Sequence, residues 1–252
     1  MERYYCITTF VFVLNLYPFV SLCQKQMMKI NDSLKTNSSF FEVKRKGFGV
    51  NAKSEFGPYK IISGKTGFYT AKSNSKLFSK VTATESKQQS SFVFVANEKD
   101  TVEVNISISS QSKSVTENHL TIEKKELKIE KESNTKEATN NFAAIISPLH
   151  DTADWQLVYF KRANVDSSSQ QKEFKTLSNG QTEIQIKEVN ESDNGKFSLL
   201  WIYHGYEFLL NGKVVAAIQT LSKQYVWLRN DLDEKMKLIL AAAIAAIMFS
   251  YQ

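Results

Sequence analysis

The chain has 252 residues, 42% hydrophobic and 23% charged, the balance of an ordinary globular protein with one large domain or two of usual size. Three prolines and nine glycines exclude collagen-like and Pro-rich architectures. The net charge of +6 is dispersed, with Lys and Arg alternating with Glu and Asp, so it reads as solvated surface and excludes a nucleic-acid-binding face.

At the N-terminus, Met1-Glu2-Arg3 is a short polar start, followed by an almost wholly apolar run from Cys6 to Leu22. Ser21 and Cys23 are small residues placed for a cut before Gln24. A charged start, an apolar core and small residues at the cut predict a secretory signal peptide over residues 1–23. The alternative is an uncleaved anchor, but the run is short for a hydrocarbon core of about 30 Å. Both cysteines, Cys6 and Cys23, lie in the removed segment. The mature chain is therefore expected to have no disulfide, thiol nucleophile or Cys-based zinc site.

Residues 24–39 are polar and are expected to form a loose leader. From Phe40 the pattern is strand-like, predicting an N-terminal β-rich domain over 24–117. Phe92 to Val95 is β-branched and aromatic, and Val102 to Ile108 alternates apolar with polar, the period of a half-buried strand. Asn97 to Asp100 forms the connection expected of a hairpin. Residues 109–119 are rich in Ser, Lys and Thr, which places a domain boundary there.

A second β-rich domain is predicted over 118–229. Leu127 and Ile129 alternate with charged residues, and Phe142 to Ile146 is an apolar strand ended by Ser147-Pro148. Trp155 to Phe160, Ile184 with Ile186, and Phe197 to Tyr203 mark further strands. Asn211-Gly212, between Phe208-Leu209-Leu210 and Lys213-Val214-Val215, supplies the positive φ angles of a type I′ hairpin turn. Successive short strands with such turns predict an all-β sandwich or barrel.

Within this part, residues about 120–222 resemble an immunoglobulin-like domain. Trp155 stands where that family carries a Trp on its third strand. Ile184, Ile186, Val189, Asp193, Gly195 and Phe197 follow on the family's spacing, and Leu199 stands where its cysteine would be. The resemblance implies a two-sheet sandwich with these residues as structural core. The disulfide is missing, with Leu199 at one position and Ala144 or Ile145 at the other, a loss that typically costs about 2–5 kcal/mol. Phe197 also lacks the hydroxyl of the family's tyrosine corner.

The C-terminal segment, 230–252, ends in a run from Leu238 to Phe249 without a polar residue. Asn230 or Asp231 can cap a helix there, with Asp233 and Glu234 in its first turn. Twelve helical residues span about 18 Å, short of a bilayer. The run then reads as a glycolipid (GPI) anchor signal, removed on attachment, as a buried helix, or as a membrane helix extended by its flanks. Asp231-Leu232-Asp233, Lys235-Met236-Lys237 and the apolar run after them are similar to the C-terminal end of phospholipid scramblases. That resemblance implies a tubby-like barrel that threads a hydrophobic helix through a closed sheet.

Catalytic chemistry is not expected. His119, His150 and His204 lack a second ligand at metal spacing, and His150 beside Asp151 and Asp154 reads as a surface loop. No phosphate-binding Gly-rich loop or nucleophile elbow occurs, so neither enzymatic activity nor a cofactor is expected. Asn31, Asn37, Asn105 and Asn190 head Asn-x-Ser sequons and are candidate glycan sites in a secretory protein. The expected function is therefore that of an extracellular or cell-surface recognition or adhesion module. It would bind another protein, with membrane attachment through its C-terminal segment. The alternative is a lipid-associated, tubby-like barrel.

Overall fold

The computed structural model describes residues 27–46, 53–75, 81–97, 99–123, 126–149, 153–164, 172–193, 205–220 and 223–250. In chain order these form α1 (Asp32–Thr36), β1 (Ser38–Glu42), β2 (Lys44–Lys46), β3 (Lys53–Phe56), β4 (Tyr59–Thr66), β5 (Thr70–Ser75), β6 (Val81–Ala96) and β7 (Asp100–Glu123). They continue with β8 (Glu126–Pro148), β9 (Trp155–Asn164), β10 (Lys172–Ser178), β11 (Glu183–Val189), β12 (Gly205–Leu210), β13 (Lys213–Gln219), β14 (Tyr225–Arg229) and α2 (Glu234–Ser250). The predicted signal segment, with Cys6 and Cys23, lies outside the described residues. So do Gly195, Phe197, Leu199, His150, Asp151 and His204.

All the strands belong to one antiparallel sheet in the order β1-β14-β13-β12-β11-β10-β9-β8-β7-β6-β4-β3-β2, with β5 beside β6. Apart from β1 and β5 this is a meander, in which each strand pairs with the next along the chain. The two ends of the order, β1 and β2, are consecutive in sequence and separated by Val43 alone. Ser38–Glu42 pairs with Tyr225–Arg229, and Lys44–Lys46 pairs with Lys53–Glu55 on the other edge. One bent stretch of chain thus bridges both edges and nearly closes the sheet into a barrel. At the bend, the Val43 amide donates to the Gln224 carbonyl at 3.0 Å.

The strand periodicity explains what the sheet wraps. Phe92 and Phe94 on β6, Val102, Val104 and Ile106 on β7, Phe142, Ala144 and Ile146 on β8, and Trp155 and Leu157 on β9 are buried at every second position. Leu177, Ile184, Phe208, Ile218, Val226 and Leu228 continue this inward row around the sheet, all in one core with α2. Leu238 to Met248 are at most 7% exposed and most are fully enclosed. A helix apolar all round is stable in water only when protein covers every face, and the rolled sheet supplies that cover. Five alanines, Ala241 to Ala243 with Ala245 and Ala246, keep the helix thin enough for the sheet to close on it.

Each end of α2 is capped. Asp233 accepts from the Met236 amide at 2.6 Å, satisfying a donor of the first turn. The last turn carries no basic residue of its own. Arg45, from the closing stretch, donates to the Met248 carbonyl at 3.4 Å, bringing a cation to the negative end of the helix dipole. Burial holds the Arg45 guanidinium below its ordinary range.

The outer face of β12–β14 is covered in turn by the N-terminal segment. Met28, Ile30 and Leu34 pack with Val214, Ala217, Tyr225 and Trp227 in a second core. Buried polar groups fix this strap: the Met28 amide donates to Gln219 Oε1 at 2.8 Å, and the Asn31 amide to Glu207 Oε1 at 3.1 Å. A side chain on Gly205 would run into Met28 Sδ and the Ile218 carbonyl. The leader expected over 24–39 is therefore ordered from Met27 onward.

The expected all-β class with one hydrophobic C-terminal helix is what the structure shows. The immunoglobulin-like sandwich is not confirmed. β9, β10 and β11 are side-by-side neighbours in one sheet, and their inward residues pack on a helix where a sandwich would place a facing sheet. A strand facing a helix alternates in the same way as a strand facing a sheet, which is why Ile184 and Ile186 carried the expectation. The boundary expected at 109–119 falls inside β7, which runs unbroken through it, and the inner core draws on residues from both sides.

Candidate ligand cavity at the barrel mouth

The inward row changes character where α2 ends. Toward the helix start it is aromatic, with Phe41, Phe56, Tyr59 and Phe94 in mutual ring contact. Farther round the sheet, beside Ile247, inward positions on β7, β8 and β10 turn polar. On β6 and β7 the buried Ser86 hydroxyl meets that of Ser110 at 2.6 Å. On β10 the residue two before Leu177 is Lys175, and on β11 the residue two after Ile186 is Glu188. The strand period therefore brings a lysine and a glutamate to the face that packs on the helix.

Lys175 Nζ and Glu188 Oε2 form an ion pair at 2.6 Å, with the side chains only 6% and 17% exposed. The ammonium also lies over two tyrosine rings, 4.8 Å from the centre of Tyr159 and 5.1 Å from that of Tyr206. Register explains the arrangement, since Lys175 is paired with Tyr159 across β10–β9 and Glu188 with Tyr206 across β11–β12. An isolated lysine at this depth would lose several kcal/mol of hydration; a carboxylate and two π faces offset part of that cost.

Beside this pair is a cavity of about 250 Å³. Ile108, Phe142, Leu157 and Ile186 form its apolar walls, and Ile247 of α2 its floor. Ser110, Asn140 and the Lys175 side chain supply its polar part, with Asn140 exposed at the rim. An apolar chamber with a few polar groups at one end is the usual form of a small-molecule site. Among the described residues, no group of three or more His, Cys, Asp or Glu side chains is placed to hold a metal ion.

The residues singled out from sequence are dispersed around this site. Trp155 and Ile184 are buried in the barrel interior, and Ile186 is on the cavity wall. Val189 packs against the outer core. Asp193 is exposed, and its amide donates to the Met27 carbonyl at 2.9 Å, where the strap joins the barrel. Asn31 caps α1, its side chain accepting from the Ser33 amide at 3.0 Å. Asn37 follows α1, Asn105 is exposed on the outer face of β7, and Asn190 follows β11. Sequence reasoning missed Lys175 and Glu188. The available signal was their parity: each stands two residues from an apolar residue of the inward row.

No known protein family, curated protein or solved structure matches the chain.

Proposed function

We propose that this chain is an exported, non-catalytic module that works at lipid, on a barrel plan similar to that of the tubby-like family. The observation that carries this reading is the enclosure of Leu238–Met248 by a meander that nearly closes on itself. A glycolipid-anchor signal is removed from the mature protein, and removing this segment would take away the interior around which the sheet packs. Attachment through the C-terminal run is therefore not part of the proposal. Contact with lipid is assigned to the surface and to the cavity.

A surface feature supports it. Between β4 and β5 the chain bulges away from β6, with the Gly67 amide held by the Gln89 carbonyl at 2.7 Å. Phe68 at the crest is 93% exposed and Tyr69 65%. Lys65 and Lys72 flank them in sequence and are exposed. Adjacent bare aromatics beside lysines suit the interface of an anionic bilayer, where rings enter the headgroup region and ammonium groups meet phosphates. The full chain, secreted from eukaryotic cells, should float with phosphatidylcholine–phosphatidylserine vesicles. The double variant Phe68→Ala, Tyr69→Ala should bind at least roughly tenfold more weakly, given the apolar area it removes. A wild-type chain that stays in the dense fraction would remove this reading.

A protein partner is the second reading, favoured by β7 and β8. Thr116–Glu123 pairs with Glu126–Ser133 beyond the last residues that bond to β6 and β9. This two-stranded ribbon leaves backbone groups open on both edges among the described residues, the arrangement to which a partner adds a strand. Deleting residues 116–133 would abolish such binding and leave vesicle flotation unchanged.

A further inference from the structure

The cavity has a charge property that selects the ligand it takes. Its walls are apolar, and the charged side chain that lines it, Lys175, is already paired at 2.6 Å with Glu188, which stands behind the lining. The pair sums to zero charge. A carboxylate or phosphate entering beside Lys175 finds the ammonium already engaged by Glu188, and a quaternary ammonium meets Lys175. Either ligand gives up its own hydration in an apolar chamber without gaining an unengaged counter-ion. An uncharged headgroup avoids that cost, and it can exchange hydrogen bonds with the Asn140 amide and Ser110 hydroxyl at the polar end.

Size and shape restrict the rest of the ligand. A volume of about 250 Å³ lies below the range occupied by drug-sized molecules, so there is space for one short hydrocarbon chain and none for two acyl chains. The chain would run along Phe142, Leu157 and Ile186 toward Ile247, and the head would remain by Asn140. We infer that the barrel mouth binds a single-chain, uncharged amphiphile, such as a medium-chain alcohol, and discriminates against charged amphiphiles of the same length. This rests on the lipid-directed reading above and adds the class of lipid.

The test uses three probes with one chain length and three charges: 1-decanol, decanoate and decyltrimethylammonium, each titrated calorimetrically into the full secreted chain at neutral pH. Decanol should bind saturably, and the two ions at least roughly tenfold more weakly. Glu188→Gln leaves Lys175 with an uncharged neighbour and should shift the preference to decanoate. Lys175→Met leaves Glu188 without its lysine and should shift the preference to the ammonium probe. If that variant does not fold, Glu188→Gln carries the test. Ile186→Trp, which fills the chamber, should abolish binding of all three. Equal affinities for the three probes, an unchanged preference in Glu188→Gln, or undiminished decanol binding in Ile186→Trp would each overturn the inference. A wild-type chain that binds none of them overturns it too. Vesicle flotation is read separately, so the cavity assignment can fail while the lipid-surface reading stands.

Discussion

The two ends of α2 sit in one barrel and are treated in opposite ways. Toward the start, where Glu234 acts on the Tyr59 phenol, the rings of Phe41, Phe56, Tyr59 and Phe94 pack on one another and fill that side of the interior. At the finish, the inward positions become serine, asparagine, lysine and glutamate, and a chamber opens beside Ile247. The filled end is supplied by β1, β3, β4 and β6 and the chamber by β7 to β12, so the difference lies between two arcs of one sheet. One end is built for cohesion, and the other exchanges cohesion for a place where a small molecule fits.

That contrast can be broken most severely in the middle of the helix. Ile244 is fully buried, and Ile244→Asp would place a carboxylate where no water or partner reaches it. The expected result is loss of the folded chain, read as loss of cooperative melting. At the filled end, Phe94→Ala should cost about 3–5 kcal/mol in denaturant unfolding, because Phe94 is fully buried between the rings of Phe56 and Tyr59. The same measurement on Gly205→Ala should show a loss of at least about 1–3 kcal/mol, since a methyl group meets the Ile218 carbonyl of the neighbouring strand as well as Met28 Sδ, and both must shift.

The smallest effect is a dependence of stability on pH. Burial, and secondarily the Glu234 carboxylate, push the Tyr59 phenol up to about 12. The folded state keeps that proton while the unfolded chain releases it above pH 10. The stability linked to it is therefore complete below pH 10 and is lost as pH rises from about 10 to 12. Chemical unfolding across that range should show wild type losing about 1–2 kcal/mol more than Tyr59→Phe.

Much of the fold was legible in the residues, for reasons that also explain the rest. Asn211 and Gly212 adopt φ of 51° and 77°, as an Asn-Gly turn between apolar runs requires. The uniform apolarity of Leu238–Phe249 was compatible with burial because no face was left for water. The length of β7 was hidden. Residues 109–119 are mostly Ser, Thr and Lys, with no apolar period, and their pairing with β6 and β8 comes from extending ladders that apolar residues start. Closure was hidden more deeply, since it depends on Ser38–Glu42 meeting Tyr225–Arg229, far apart in the chain. Lys175 and Glu188 looked like any other charges in a chain rich in both. Only the register that sets them opposite Tyr159 and Tyr206 distinguishes them.

The apolar helix is the interior of the barrel, and the core and the chamber both depend on it. Hydrogen exchange followed by mass spectrometry on the purified protein tests this directly, through peptides covering Leu238–Met248. Their amides should exchange only as the whole chain unfolds, as slowly as those of Val102–Ile106. Exchange within seconds, or absence of these peptides from the mature protein, would contradict it.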